Sequence, residues 1–252
     1  MKKIIFCLFI FLSINIFSVN FPEYGENYKD FIPKGWKVIS IKEGDFNKDK
    51  LNDIVLIIEK NDPKNIKKRD YYDELLNTNP RILLIIFKIN EFKYKLVSKN
   101  DRGFIFSRDK AIFDGNSEIF SIFDGFINDG TDVVINKKNN TLKIRTQYEY
   151  MRGISMFEYI FRFQNNRFEL IGMKNENSHK SADTHFSSEY SLNFSTKMIE
   201  GKEESWKVGE DNSEQIFIKK RIDVEYKYIL DEMTEETYNE ISKKYIYPEF
   251  SF

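Results

Sequence analysis

Along most of its length the chain alternates apolar and polar residues with a period of two, and aromatic residues carry the alternation. Phe92, Tyr94 and Leu96 alternate with Lys93, Lys95 and Val97. Leu142, Ile144, Thr146, Tyr148 and Tyr150 alternate with Lys143, Arg145, Gln147 and Glu149. Phe157, Tyr159, Phe161 and Phe163 alternate with Glu158, Ile160, Arg162 and Gln164. Successive side chains of an extended strand point to opposite faces, so each segment is expected to be a strand with one buried face. Residues 54–58 and 82–87 are apolar at every position, as central strands covered on both faces would be. Further strands are expected at 36–41, at 190–194 and within 216–228.

Short polar breaks link these segments. Asn90-Glu91, Asn139-Asn140 and Asn165-Asn166 each separate two expected strands, and Asn tolerates the positive φ that two-residue hairpin turns require. The fold class that follows is mainly β, an antiparallel meander of hairpins, with two short peripheral helices. One helix is expected over 65–76, where Ile66, Tyr72, Leu75 and Leu76 are spaced among charges. The other is expected near 234–245. There Thr234 would cap, Glu235 and Glu236 would begin the first turn, Lys243 and Lys244 would lie near the end, and Tyr238, Ile241 and Tyr245 would form the apolar stripe. The polar stretches 175–188 and 200–213 are expected to be loops, Asp114-Gly115, Asp124-Gly125 and Asp129-Gly130 to be turns, and no tandem repeat is evident.

Lys2 and Lys3 followed by an apolar run to Phe17 match a secretory signal, with cleavage after Ser18. The expectation is therefore an exported protein, a signal peptide over 1–18 and one mainly-β domain over 19–252. A retained N-terminal anchor is the other reading of this run. The chain's one cysteine, Cys7, lies in the leader, so the remainder carries no thiol for disulfides, zinc thiolate sites or a cysteine nucleophile. Without Lys2 and Lys3 the 39 basic residues fall to 37 against 40 acidic ones, a balance that argues against a nucleic-acid partner. No second apolar stretch of spanning length follows, and a monomer is expected.

One motif carries chemistry. Residues 44–54 place oxygen-bearing side chains at Asp45, Asn47, Asp49 and Asp53, spaced D-x-N-x-D-x-x-x-D. A calcium ion takes six to eight hard oxygen ligands from a loop that curls around it, and alternate positions 1, 3 and 5 point inward as the chain curls. The Leu51 carbonyl would supply position 7 and Asp53 would close the cage from position 9. A helix–loop–helix site is disfavoured, since position 12 is Leu56 where a bidentate Glu would stand. The competing reading is a solvated acidic turn that binds nothing.

This stretch resembles the calcium loop of FG-GAP and VCBS repeats, D-x-[DN]-x-D-G-x-x-D followed by Ile or Leu. Asp45, Asn47, Asp49, Asp53 and Ile54 match, and Lys50 stands where the repeat has Gly. That position commonly takes a left-handed backbone, which costs a non-glycine residue about 1 kcal/mol. More widely, the order of the Trp36–Ile39 segment, the loop, Asn79-Pro80-Arg81, the segment 168–172 and the segment 190–197 is similar to a group of uncharacterised secreted bacterial proteins with one such loop. That resemblance spans most of residues 33–202 and implies location and fold, with no known activity. A structural calcium ion is the one cofactor it implies.

Other constellations are weaker. His179, Asp183 and His185 could be imagined as an open zinc site, but their spacing fits no helix face. No G-x-S-x-G elbow and no glycine-rich phosphate loop occurs. Lys64, Lys67, Lys68 and Arg69 are read as an exposed helix face. The function expected is a non-catalytic exported β protein with one structural calcium loop and a binding or envelope-associated role. The alternative is a secreted hydrolase built from dispersed carboxylates, Tyr and His, and a third reading is an incomplete propeller that completes itself by self-association.

Overall fold

The alternating segments become two large antiparallel sheets in the computed structural model, which describes residues 19–69, 73–105, 107, 109, 119–123, 133–150, 152–209, 212–225 and 227–247. The first sheet holds β1 (Tyr24–Gly25), β2 (Trp36–Gly44), β3 (Asp53–Lys60), β6 (Arg81–Asn90) and β7 (Lys93–Asn100), in the order β1-β7-β6-β3-β2. A small pair, β4 (Ile66–Lys68) and β5 (Leu75–Asn77), stands apart from it. The second sheet holds β8 (Ile119–Phe123), β9 (Val133–Asn136), β10 (Thr141–Tyr150), β11 (Gly153–Gln164), β12 (Arg167–Lys180), β13 (Thr184–Asn193), β14 (Met198–Lys207) and β15 (Ser213–Arg221). From β10 to β15 it is an unbroken meander, β8 pairs with the other edge of β10, and β9 also pairs with β10.

The unbroken apolar runs of β3 and β6 follow from their place between two cores. Val55, Ile57, Leu83, Ile85 and Phe87 point at the second sheet, where they join Leu142, Phe161, Phe168 and Leu170. Ile54, Leu56, Ile58, Ile82, Leu84 and Ile86 point the other way, against Phe31, with Val19, Phe21, Tyr28 and Ile32 packed around them. Period two divides each strand between the cores, and each fully buried Leu or Ile contributes about 1.5–3 kcal/mol. Phe168 is the hub of the aromatic packing, edge-on to Phe46 at 5.3 Å and to Phe87 at 6.3 Å.

The C-terminal helix is real but shorter than its charge pattern suggests. α1 spans Thr237–Ile241 and continues as a π turn over Ser242–Ile246. Thr234 does not cap it, since its own backbone N–H donates to Thr237 Oγ1. The expected stripe holds: Ile241 and Tyr245 are buried, and Tyr238 lies 3.8 Å from the Phe157 ring. Asn100 draws this end of the chain onto β7 by donating to the carbonyls of Leu230 and Met233.

Three expectations are corrected. The helix over 65–76 is absent from the described part of that segment, of which residues 70–72 lie outside the description. A 3-10 turn at Pro63–Asn65 leads into the β4–β5 pair, and Leu76 is fully buried while Leu75 is 69% exposed. Burial there has period two, and Asn79 pins the chain by accepting from Asp62 N–H and Asn65 Nδ2. The loops expected at 175–188 and 200–213 are mostly strand, in β12 to β15. Residues 175–188 and 200–213 are mostly polar, so no core-facing alternation marks these stretches while backbone pairing continues. The turn after β6 is Glu91-Phe92, one residue later than expected; Asn165 and Asn166 do take positive φ, 52° and 59°. The leader and the three Asp-Gly turns lie outside the described residues.

Candidate functional site

The aspartate loop is the connection between β2 and β3, and the two strand ends hold it at Gly44 and Asp53, which face each other in the ladder. Asp45 organises the turn. Its Oδ1 accepts the N–H of Lys48 (2.6 Å) and Asp49 (3.2 Å), and its Oδ2 accepts that of Lys50 (3.0 Å). Asn47 Oδ1 accepts the Asp49 N–H, Asn47 Nδ2 donates to Asp49 Oδ2, and Asp49 Oδ1 accepts the Leu51 N–H. The backbone of this curl is left-handed at Lys50, φ 71°, where the resembling repeat has Gly, and also at Lys48, φ 68°.

Asp53 is the buried member, with no exposed surface. Its Oδ2 accepts the Phe46 N–H at 2.9 Å and its Oδ1 accepts the Lys88 N–H at 3.2 Å, which ties the loop to the end of β6. Burial pushes its carboxyl from 3.8 up to about 7; the two N–H donors oppose this, and the Asp49 and Asp45 charges add to it. Among the described residues no Lys or Arg forms an ion pair with Asp53.

The rest of the fold supports the loop from outside. Phe46 plants it in the core, and Asn140, from the turn before β10, donates to the Asp45 carbonyl. Gly44 permits the approach of the second sheet, since a Cβ there would stand 2.5 Å from Ile135 Cγ2. Sequence reasoning read Asn140 only as a turn former; no local signal connects it to a residue 95 positions away.

Asp45, Asn47, Asp49, Leu51 and Asp53 therefore share one loop, with Asp53 buried, Asp45, Asn47 and Leu51 half-buried and Asp49 exposed. Their oxygens suit a hard cation, and each carboxylate keeps lone pairs beyond the N–H groups it accepts. Among the described residues no three His, Cys, Asp or Glu converge as a metal cluster. The loop here is held by its own hydrogen bonds.

The histidines do not come together. His179 stands opposite Phe186 and His185 opposite Lys180, one position out of step on neighbouring strands, so their rings leave opposite faces of the sheet. His185 stacks on Trp206 at 5.2 Å.

Three other shifted carboxylates have structural partners. Burial would raise Glu59, but Lys37 and Arg81 hold it below its ordinary value. Lys143 and Arg145 do the same for Glu158. Glu169 is drawn down to about 2 against its burial, by Gln164, Asn165, Arg167 and Lys227. An open groove of about 510 Å³ on the second sheet is lined by both signs of charge, including Lys174, Glu176, Glu189 and Lys202, beside Phe217. No helix among the described residues is long and apolar enough to cross a membrane. No family model, no curated protein and no solved structure matches the chain.

Proposed function

We propose that this is an exported, non-catalytic β protein whose loop 45–53 takes a calcium ion as a structural clip, in a binding or envelope-associated role. One observation carries the reading: a carboxylate with no exposed surface, Asp53, feels the negative charges of Asp49 and Asp45 without a cationic side chain paired to it. Leaving a buried acid in the company of two others is costly unless something positive neutralises them. Asp45, Asn47, Asp49, the Leu51 carbonyl and Asp53 would hold the ion. When bound, it would supply charge neutralisation and stiffen the β2–β3 connection.

The non-catalytic part of the reading is supported by the company that three other shifted carboxylates keep. Glu59, Glu158 and Glu169 are each matched to Lys or Arg, as structural ion pairs are, and the two histidines diverge. The test is thermal unfolding in calcium and in chelator. Calcium at 10 mM should stabilise by about 1.4–2.7 kcal/mol if dissociation lies near the ~10⁻⁴ to 10⁻³ M of extracellular modules. Asp45→Ala and Asp49→Ala should abolish the difference. Identical melts of the natural chain in both solutions would sink the proposal.

A further inference from the structure

β15 is the last strand of the second sheet, and among the described residues only β14 pairs with it. The ladder runs from Trp206 opposite Ser213 to Met198 opposite Arg221 without a register shift. One step further, the Ile222 N–H donates to the Lys197 carbonyl at 3.0 Å. In an antiparallel ladder, residues bonded to the neighbour alternate with residues whose N–H and C=O point away. The even-numbered residues of β15 therefore bond β14. Ser213, Gln215, Phe217, Lys219 and Arg221 aim their backbone groups outward.

This edge also carries large apolar side chains in water: Phe217 is 74% exposed and Ile216 57%. A long edge of that kind invites pairing with another strand, and natural proteins usually blunt it. Charge is segregated along it, with Glu214 at one end and Lys219, Lys220 and Arg221 at the other.

We propose that this edge pairs with the same edge of a second copy of the chain, antiparallel and centred on Phe217. In that register Phe217 faces Phe217, Gln215 faces Lys219 and Ser213 faces Arg221, so every hydrogen-bonded pair joins two outward-aimed residues. Between them Ile216 meets Ile218, and Glu214 meets Lys220 on both sides of the two-fold axis. A slip of one residue opposes outward to inward backbone groups and loses the ladder. A slip of two sets Glu214 against Ile218 or Lys220 against Ile216. Parallel pairing would bring the three cations against each other. Charge complementarity thus selects a second copy and one register, where sequence alone suggests a monomer.

The test is sedimentation equilibrium of the whole, naturally processed chain. The natural protein should be a dimer, and Phe217→Glu, which opposes two carboxylates at the centre, a monomer. Glu214→Lys and Lys220→Glu should each weaken the dimer roughly tenfold, by turning two attractive pairs repulsive. The double variant should recover most of that loss, because both pairs become attractive again. All three side chains are exposed, so unchanged melting of the variants separates lost pairing from lost folding. A natural chain that stays monomeric up to about 100 µM, its edge left to solvent or to another protein's strand, overturns the proposal. So does a double variant no tighter than the singles.

Discussion

Replacing Asp53 by Asn isolates the electrostatic cost at the base of the loop. The natural carboxyl is raised from 3.8 to about 7 in the folded chain, so between those values the folded state keeps a proton that the unfolded state has released. Stability from this group is complete below pH 3.8 and is lost as pH rises through 7. At full weight the shift corresponds to about 4 kcal/mol. The half-buried Asp45 and exposed Asp49 beside it admit water and salt, which screen part of it, so about 2 kcal/mol is the expected loss between pH 4 and pH 8. Asp231 is shifted in the same direction, by burial, so the Asp53 share is read as the difference between the natural chain and Asp53→Asn.

Urea unfolding at several pH values, in chelator and in 10 mM calcium, measures it. Asn cannot titrate and can accept well through only one oxygen, so the variant should carry a constant penalty of about 1–3 kcal/mol from an unpaired N–H and a flatter pH profile. Calcium should remove most of the loss at pH 8 in the natural chain by replacing the proton, and leave the variant unmoved. If the natural chain and the variant lose stability in parallel from pH 4 to pH 8, Asp53 is not the titrating group and the reasoning fails.

Two further outcomes follow from the same geometry. Lys50→Gly relieves left-handed strain and removes a cation beside the loop, so calcium affinity, read by titration calorimetry, should rise up to about fivefold; a weaker affinity would show that Lys50 assists the loop. At the other end of β3, Glu59→Gln removes the carboxylate charge that Glu59 sets against the buried Arg81 side chain and should cost about 3 kcal/mol in denaturant unfolding, where a loss below about 1 kcal/mol would mean that the remaining contacts of Arg81 satisfy it.

Much of the β structure was legible because burial writes itself into the sequence. The continuous apolar runs of β3 and β6, the alternating Leu142 and Ile144 of β10 and the alternating aromatics of β11 declare which side chains leave water. Where strands carry no core, that signal disappears. The second half of β12, from Glu176 to Lys180, and most of β14, from Gly201 to Lys207, look like loop, since polar residues on both faces report only exposure. Their backbone groups are paired with neighbours all the same, and hydrogen bonding between strands leaves no residue-level pattern. The helix expected over 65–76 failed for a related reason: spaced charges imitate an amphipathic helix, while the β4–β5 ladder, the hold of Asn79 and the burial of Leu76 keep the described part extended.

For the loop, spacing placed Asp45, Asn47, Asp49 and Asp53 on one curl between two strands, and the resemblance to the FG-GAP loop implied the left-handed backbone that Lys50 adopts. Only the tertiary structure made Asp53 different from its neighbours. It accepts the N–H of Lys88, 35 residues on, and that of Phe46, whose ring packs edge-on against Phe168 from the other sheet. A carboxylate's charge is set by the solvent it has lost and the dipoles that surround it, and those arrive from distant parts of the chain. The sequence by itself determined which oxygens could gather; the packing of two sheets decided which of them is buried.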